Sequence, residues 1–146
     1  MADSEDLFFI DTNLLVYAYH KGEIKKHLVS NKLLEKCWKR EVKYFTSSQN
    51  LAEFFYVVTE KIENPLKLEE VKKIINDIIN FSNWEVLSYN KTTMLKAMDI
   101  KILNNMHFWD ALLIATMLEN NVLNIYTENE KDFIKVKNIT VVNPFK

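Results

Sequence analysis

The sequence predicts an α/β domain of three layers, helices packed on both faces of a parallel sheet, and three observations carry that prediction. Leu7, Phe8, Phe9 and Ile10 form an unbroken apolar run that ends in Asp11, the pattern of a strand buried on both faces. Further short runs rich in β-branched and aromatic residues recur at 42–46, 84–88, 122–127 and 139–142. Most of these runs are separated by stretches whose apolar residues fall at helical spacing, which is the signature of strands alternating with helices. No repeat, low-complexity tract or interior linker divides the 146 residues, so a single domain over 1–146 is expected, with 1–6 as a polar lead.

Each element has its own local reason. Asp11 ends the first strand, and a helix over 14–19 follows at once, with Asn13 expected as its cap. From 23 to about 40, Ile24, Leu28, Leu33, Leu34, Cys37 and Trp38 mark an amphipathic helix. The strand at 42–46 runs into Ser47, Ser48, Gln49 and Asn50, good helix-starting residues. The helix they open continues to about Glu60, with Leu51, Phe54, Phe55 and Val58 on one stripe. Asn64 and Pro65 break the chain before a helix marked by Leu68, Val71, Ile74, Ile75 and Ile78. After the strand at 84–88, a helix over 91–105 is expected to turn Met94, Leu95, Met98, Ile102 and Leu103 inward. A mostly apolar helix over 111–118 is expected deep in the domain, and 128–133 is a turn or a single helical turn between the last two strands.

Composition excludes several function classes. With 48% hydrophobic and 27% charged residues the chain is an ordinary globular one. No apolar run approaches the ~20 residues needed to cross a bilayer. The acidic opening, Met1 to Asp6, is the opposite of a secretory leader, so a soluble, cytoplasmic protein with no membrane role is expected. Cys37 stands alone, which rules out a disulfide framework or a cysteine zinc site within one chain. Gly22 is the one glycine, and phosphate-cradling loops of the P-loop or dinucleotide type need several. His20, His27 and His107 lack metal-type spacing and are expected to be structural. Net charge is −1, yet eight Lys and Arg against three Glu crowd residues 21–43, most simply as a solvated helix face.

Four acids stand at comparable places in this pattern. Asp11 and Asp132 follow strands, while Glu53 and Asp110 lie near the starts of helices. In a parallel α/β fold those places share one edge of the sheet, where ligands bind. Each acid also has an ordinary reading: Glu53 as a solvated helix residue, Asp110 as a favourable charge at a helix start, Asp132 as a cap. Together, four carboxylates in one cleft repel unless cations offset them. All-oxygen ligands point to Mg²⁺ or Mn²⁺, and the matching chemistry is metal-assisted phosphodiester hydrolysis.

The ordered set of motifs Phe9-Ile-Asp-Thr-Asn13, Ser48-Gln-Asn-Leu-Ala-Glu53, Phe108-Trp-Asp-Ala-Leu112 and Tyr126-Thr-Glu-Asn-Glu-Lys-Asp-Phe133 resembles the PIN-domain ribonucleases, above all the toxins of VapBC toxin–antitoxin pairs. The ending Val141-Val-Asn-Pro-Phe145 resembles the family's last strand. The resemblance covers nearly the whole chain. It implies a five-stranded parallel sheet in the order 3-2-1-4-5 and an Mg²⁺- or Mn²⁺-dependent endoribonuclease leaving a 5′-phosphate. It implies Asp11, Glu53, Asp110 and Asp132 as catalytic metal ligands, with Glu128 the runner-up for the fourth. Thr12 and Thr127 would supply hydroxyls, and Asn13 and Asn129 would position the ligands. The partners implied are RNA, a second copy of the chain and an antitoxin protein, with Tyr17, Tyr19, Trp38 and Tyr56 as candidate contact residues. Three other readings stand beside it: an RNA-processing nuclease without an antitoxin, a non-catalytic interaction module, and a phosphatase or receiver-like protein using Asp11 as phosphoryl acceptor. The last leaves Glu53 and Asp110 idle, and position 13 is Asn where a phosphatase of that kind carries a second Asp.

Overall fold

The apolar run 7–10 forms the central strand of the sheet. In the computed structural model, residues 7–146 are described; the polar lead expected over 1–6 lies outside them. The strands are β1 (Phe8–Ile10), β2 (Tyr44–Ser47), β3 (Trp84–Leu87), β4 (Asn124–Tyr126) and β5 (Thr140–Val142). All pairings are parallel, in the order β3-β2-β1-β4-β5. The helices are α1 (Thr12–Tyr19), α2 (Ile24–Trp38), α3 (Ser48–Tyr56), α4 (Leu68–Asn80), α5 (Lys91–Asn104), α6 (Phe108–Glu119) and α7 (Glu130–Phe133).

Because side chains alternate along a strand, β1 and β2 feed two separate cores. Phe9 and Phe45 pack with Ala97, Ala111, Ile114 and Ile125 on the α5–α6 side. Ile10 and Tyr44 pack with Leu14, Leu34, Phe54 and Ile78 on the side of α1 to α4. The chain steps outward from β1 to β2 and β3, then returns to place β4 on the other flank of β1. The reversal leaves a crevice beyond the carboxyl ends of β1 and β4. The Asp11 N–H donates to the Tyr126 carbonyl at 3.1 Å, so the first acid sits at that crevice.

Three local expectations need correction. Asp11, not Asn13, caps α1, its side chain accepting from the Thr12 N–H at 2.7 Å. The helix expected to run to Glu60 changes to a π-helical segment at Val57–Lys61. The largest difference is on α5. There Leu95 is 60%, Ile102 81% and Leu103 84% exposed, with Met94 and Met98 also at the surface. The face of α5 that meets the protein carries Thr93 and Ala97 instead. Small residues let α5 approach α6 closely, and the Thr93 hydroxyl donates to Glu119 Oε1 at 2.6 Å. Ile24 and Leu28 of α2 and Leu68 of α4 are likewise exposed, while His27 is buried and bonded as a structural residue: Nδ1 lies 2.8 Å from the Tyr17 carbonyl and Nε2 3.2 Å from Asn31 Nδ2.

Candidate active site

Asp11 is held from every side. Its Oδ1 accepts from the Thr12 N–H and from Asn50 Nδ2 at 3.2 Å. Its Oδ2 accepts from the Thr127 hydroxyl at 2.7 Å and from Asn13 Nδ2 at 3.4 Å. Those donors come from α1, α3 and the end of β4, so three segments far apart in sequence aim one carboxylate. Burial nevertheless pushes its pKa above the usual carboxylate range; the bonds from Thr127, Thr12 and Asn50 pull it down, and the charge of Glu53 adds to the rise.

Glu53 reaches the same crevice from α3. The Thr12 hydroxyl donates to Glu53 Oε1 at 2.8 Å and itself accepts from Asn50 Nδ2 at 2.8 Å. Asn50 therefore links Asp11, Thr12 and the helix that carries Glu53. Local pattern marks Asn50 only as a helix-starting residue; its role comes from packing.

Asp110 stands in the first turn of α6, where the helix dipole favours a negative charge. Burial outweighs that and, with the charges of Asp11 and Asp132 and a hydrogen bond shared with Asp132, pushes its pKa up to about 6. Burial also works against ionised Asp132. Lys135, the charge of His107 and the bond from Asp110 together hold Asp132 below the usual range. Of the two, Asp110 is the acid that holds a proton to the higher pH.

The three acids after β4 go to different places. Glu128 accepts from the Tyr17 hydroxyl at 2.6 Å and is ion-paired with Lys26. Glu130 pairs with Lys146 at 2.7 Å. Asp132 is the one of the three bonded to another acid of the set, and Lys135 Nζ lies 3.3 Å from its Oδ1. Thr127 and Asn13 serve the Asp11 carboxylate, with Asn13 Nδ2 also 3.3 Å from the Thr127 hydroxyl. The Asn129 N–H donates to the Thr127 hydroxyl at 3.0 Å, and the Asn129 side chain lines the cleft.

Asp11, Glu53 and Asp110 line two adjoining hollows of about 310 and 270 Å³. Gln49, Asn50 and Trp109 wall the second, and Trp109 is 62% exposed. Among the described residues, no three His, Cys, Asp or Glu side chains close tightly enough on one point to grip an ion directly. Both Asp11 oxygens and Glu53 Oε1 accept hydrogen bonds from protein donors. The donor set is all oxygen, and Lys26, Lys146 and Lys135 pair with Glu128, Glu130 and Asp132 rather than with Asp11, Glu53 or Asp110. Such a cleft fits a hard divalent cation that keeps much of its own water.

None of the curated proteins compared matches this chain. Among solved structures, FitAB bound to an IR36 DNA fragment has a TM-score of 0.72 at 15% identity, covering 96% of each chain. VapC20 of Mycobacterium tuberculosis, described as a sarcin-ricin loop cleaving toxin, has a TM-score of 0.65 at 15% identity, over 85% of this chain and 92% of that one. VapBC2 of Rickettsia felis, bound to a DNA fragment from its promoter, has a TM-score of 0.64 at 20% identity, over 94% and 98%. At such identities the likeness speaks for the fold. The family model of the PIN domain matches residues 8–139, nearly the whole described chain, and with the sheet order and the acid-lined crevice in place, this chain belongs to the PIN domain family.

Proposed function

We propose that this chain is a single-domain, Mg²⁺- or Mn²⁺-dependent endoribonuclease and the toxin of a VapBC-type toxin–antitoxin pair. The observation that carries the reading is the convergence of Asp11, Glu53 and Asp110, from three separate elements, on one crevice at the sheet's reversal point. Asp11, Glu53 and Asp110 would hold the cation, in part through water, with Asp132 completing the set. The chemistry supplied there by a bound divalent ion is activation of water and neutralisation of charge on the phosphate. The chain's own contribution is orientation. Thr127, Asn13, Asn50 and the Thr12 N–H keep Asp11 in one rotamer, and Thr12 keeps Glu53 turned into the cleft. A divalent ion held there would favour ionised Asp110, whose charge burial otherwise opposes. Trp109, exposed at the rim, offers a flat face on which an unpaired base can stack.

The toxin reading draws on the fold shared with VapC20 and VapBC2. A second copy of the chain and an antitoxin protein are the proposed partners, and the exposed apolar row of α5 is surface of the kind that protein partners cover. Incubating the purified protein with total RNA and Mn²⁺ and mapping the ends tests the activity. Discrete cuts with 5′-phosphates, lost in Asp11→Asn and Asp110→Asn, are expected; intact RNA with both Mg²⁺ and Mn²⁺ sinks the reading. Growth arrest on expression separates a toxin from an RNA-processing enzyme of the same chemistry.

A further inference from the structure

Beside the acidic crevice lies a larger cleft of about 430 Å³ with the opposite charge. Lys101, Lys131 and Lys135 line it together with His107, against one carboxylate, Asp132. Asn129 borders this cleft and the acidic one, and Asp132 bonds to Asp110 across the shared wall. The two hollows are therefore adjoining parts of one groove.

Two of the lysines are fixed in place. Lys101 Nζ donates to the Met106 carbonyl at 2.8 Å and Lys135 Nζ to the Asn105 carbonyl at 3.0 Å, so both brace the left-handed turn at Asn105. An ammonium has three donors, and one backbone bond does not exhaust them. Lys131 makes no hydrogen bond or ion pair among the described residues. Asp132 is already matched by Lys135, which leaves the cleft a net cationic surface with free donors.

We infer that this lysine cleft binds the RNA phosphate next to the one cleaved in the acidic crevice. The inference rests on the nuclease reading and adds the path of the substrate. A polyanion passing over three carboxylates gains little from them; the adjoining ammonium groups hold the strand in register so that the next phosphate falls over Asp11 and Asp110. Lysines act on phosphate as point charges and carry no base readout, so the cleft positions the strand without choosing its sequence.

The test uses a labelled single-stranded RNA oligonucleotide and the non-cutting Asp11→Asn chain, with binding followed by anisotropy across a salt series. Adding Lys131→Ala and Lys135→Gln lowers affinity about tenfold, uniformly across sequences, and shrinks the slope of log K against log salt by about 0.7 for each phosphate no longer neutralised. In the otherwise native chain Lys131→Ala, which leaves the Lys135–Asp132 salt bridge in place, raises KM and leaves the cut pattern unchanged. Lys131→Ala alone touches no bond of the fold and keeps the test valid should the pair unfold. Lys32→Ala with Lys36→Ala, on α2, serves as the control and changes nothing. Unaltered affinity and slope in a chain that still cuts RNA overturn the phosphate cleft and leave the nuclease standing, as does a changed cut pattern. A native chain that neither binds nor cuts RNA overturns both.

Discussion

The Thr12 hydroxyl lies 2.8 Å from Glu53 Oε1 and donates to it, joining the first turn of α1 to the body of α3 across 41 residues of sequence. Thr12 is buried, and the same oxygen accepts from Asn50. Thr12→Val keeps the shape and removes both bonds. We expect a loss of about 1–2 kcal/mol in chemical denaturation and a fall of roughly 10–100-fold in Mn²⁺-dependent cleavage. Thr12→Ser, which keeps the hydroxyl, should restore most of the activity; equal defects in both variants would argue against the bond.

Burial opposes the charge of Asp11. Asp11→Asn removes that charge but turns an amide N–H toward protein donors, so in chelator it should melt close to the native chain. Adding Mn²⁺ at about 100 times its Kd should stabilise the native chain by about 2.7 kcal/mol and leave Asp11→Asn unmoved. Thermal scans with and without the ion decide it, and an equal rise in both proteins would place the ion elsewhere.

Cys37 is fully buried, with its Sγ 3.2 Å from the Asn83 carbonyl. Burial pushes the thiol from 9.0 up to about 11, the hydrogen bond with the Tyr44 backbone opposing it. The folded chain thus holds this proton more tightly than the unfolded chain does. Its contribution to stability is complete below pH 9 and is lost as pH rises through about 11. Native protein at about pH 8, where a free thiol begins to ionise, should not react with a thiol reagent until denatured, and Cys37→Ser should flatten the alkaline fall in stability.

Trp109 projects from the start of α6 with its backbone carbonyl accepting from Gln49 Nε2 at 3.3 Å. Trp109→Ala keeps that bond. If a base stacks on the ring, RNA binding by the Asp11→Asn chain should weaken by about 1–3 kcal/mol, with the melting temperature unchanged. Undiminished binding in the alanine variant removes Trp109 from the substrate path.

Ile102 and Leu103 are more than four-fifths exposed at the end of α5. Ile102→Asp with Leu103→Asp costs the monomer little, because neither side chain belongs to its core. Sedimentation should show a native dimer and a monomeric double variant; a native chain that sediments as a monomer at all concentrations rules out pairing through this face.

Much of the fold was legible because burial leaves a periodic trace in sequence. The all-apolar β1 announced a strand covered on both faces, and Leu51, Phe54 and Val58 announced the buried side of α3. The same logic failed on α5. Apolar residues at helical spacing mark a face that avoids water, but periodicity does not say whether the covering surface belongs to the chain itself. Packing against α6 selected Thr93 and Ala97 for closeness and left the large side chains outside.

The site divides along the same line. By itself the sequence determined the layered α/β plan, the central place of β1 and which acids stand at element ends, because strand and helix periods and terminal residues are local properties. Tertiary structure alone decided that Asn50 braces Asp11 and Thr12, that Glu128 is drawn away by Lys26 and Tyr17, and that Asp132 meets Asp110. Those contacts join residues from 22 to more than 100 positions apart. Their energies depend on distance and burial in the folded chain, quantities that exist only once the sheet has brought the segments together.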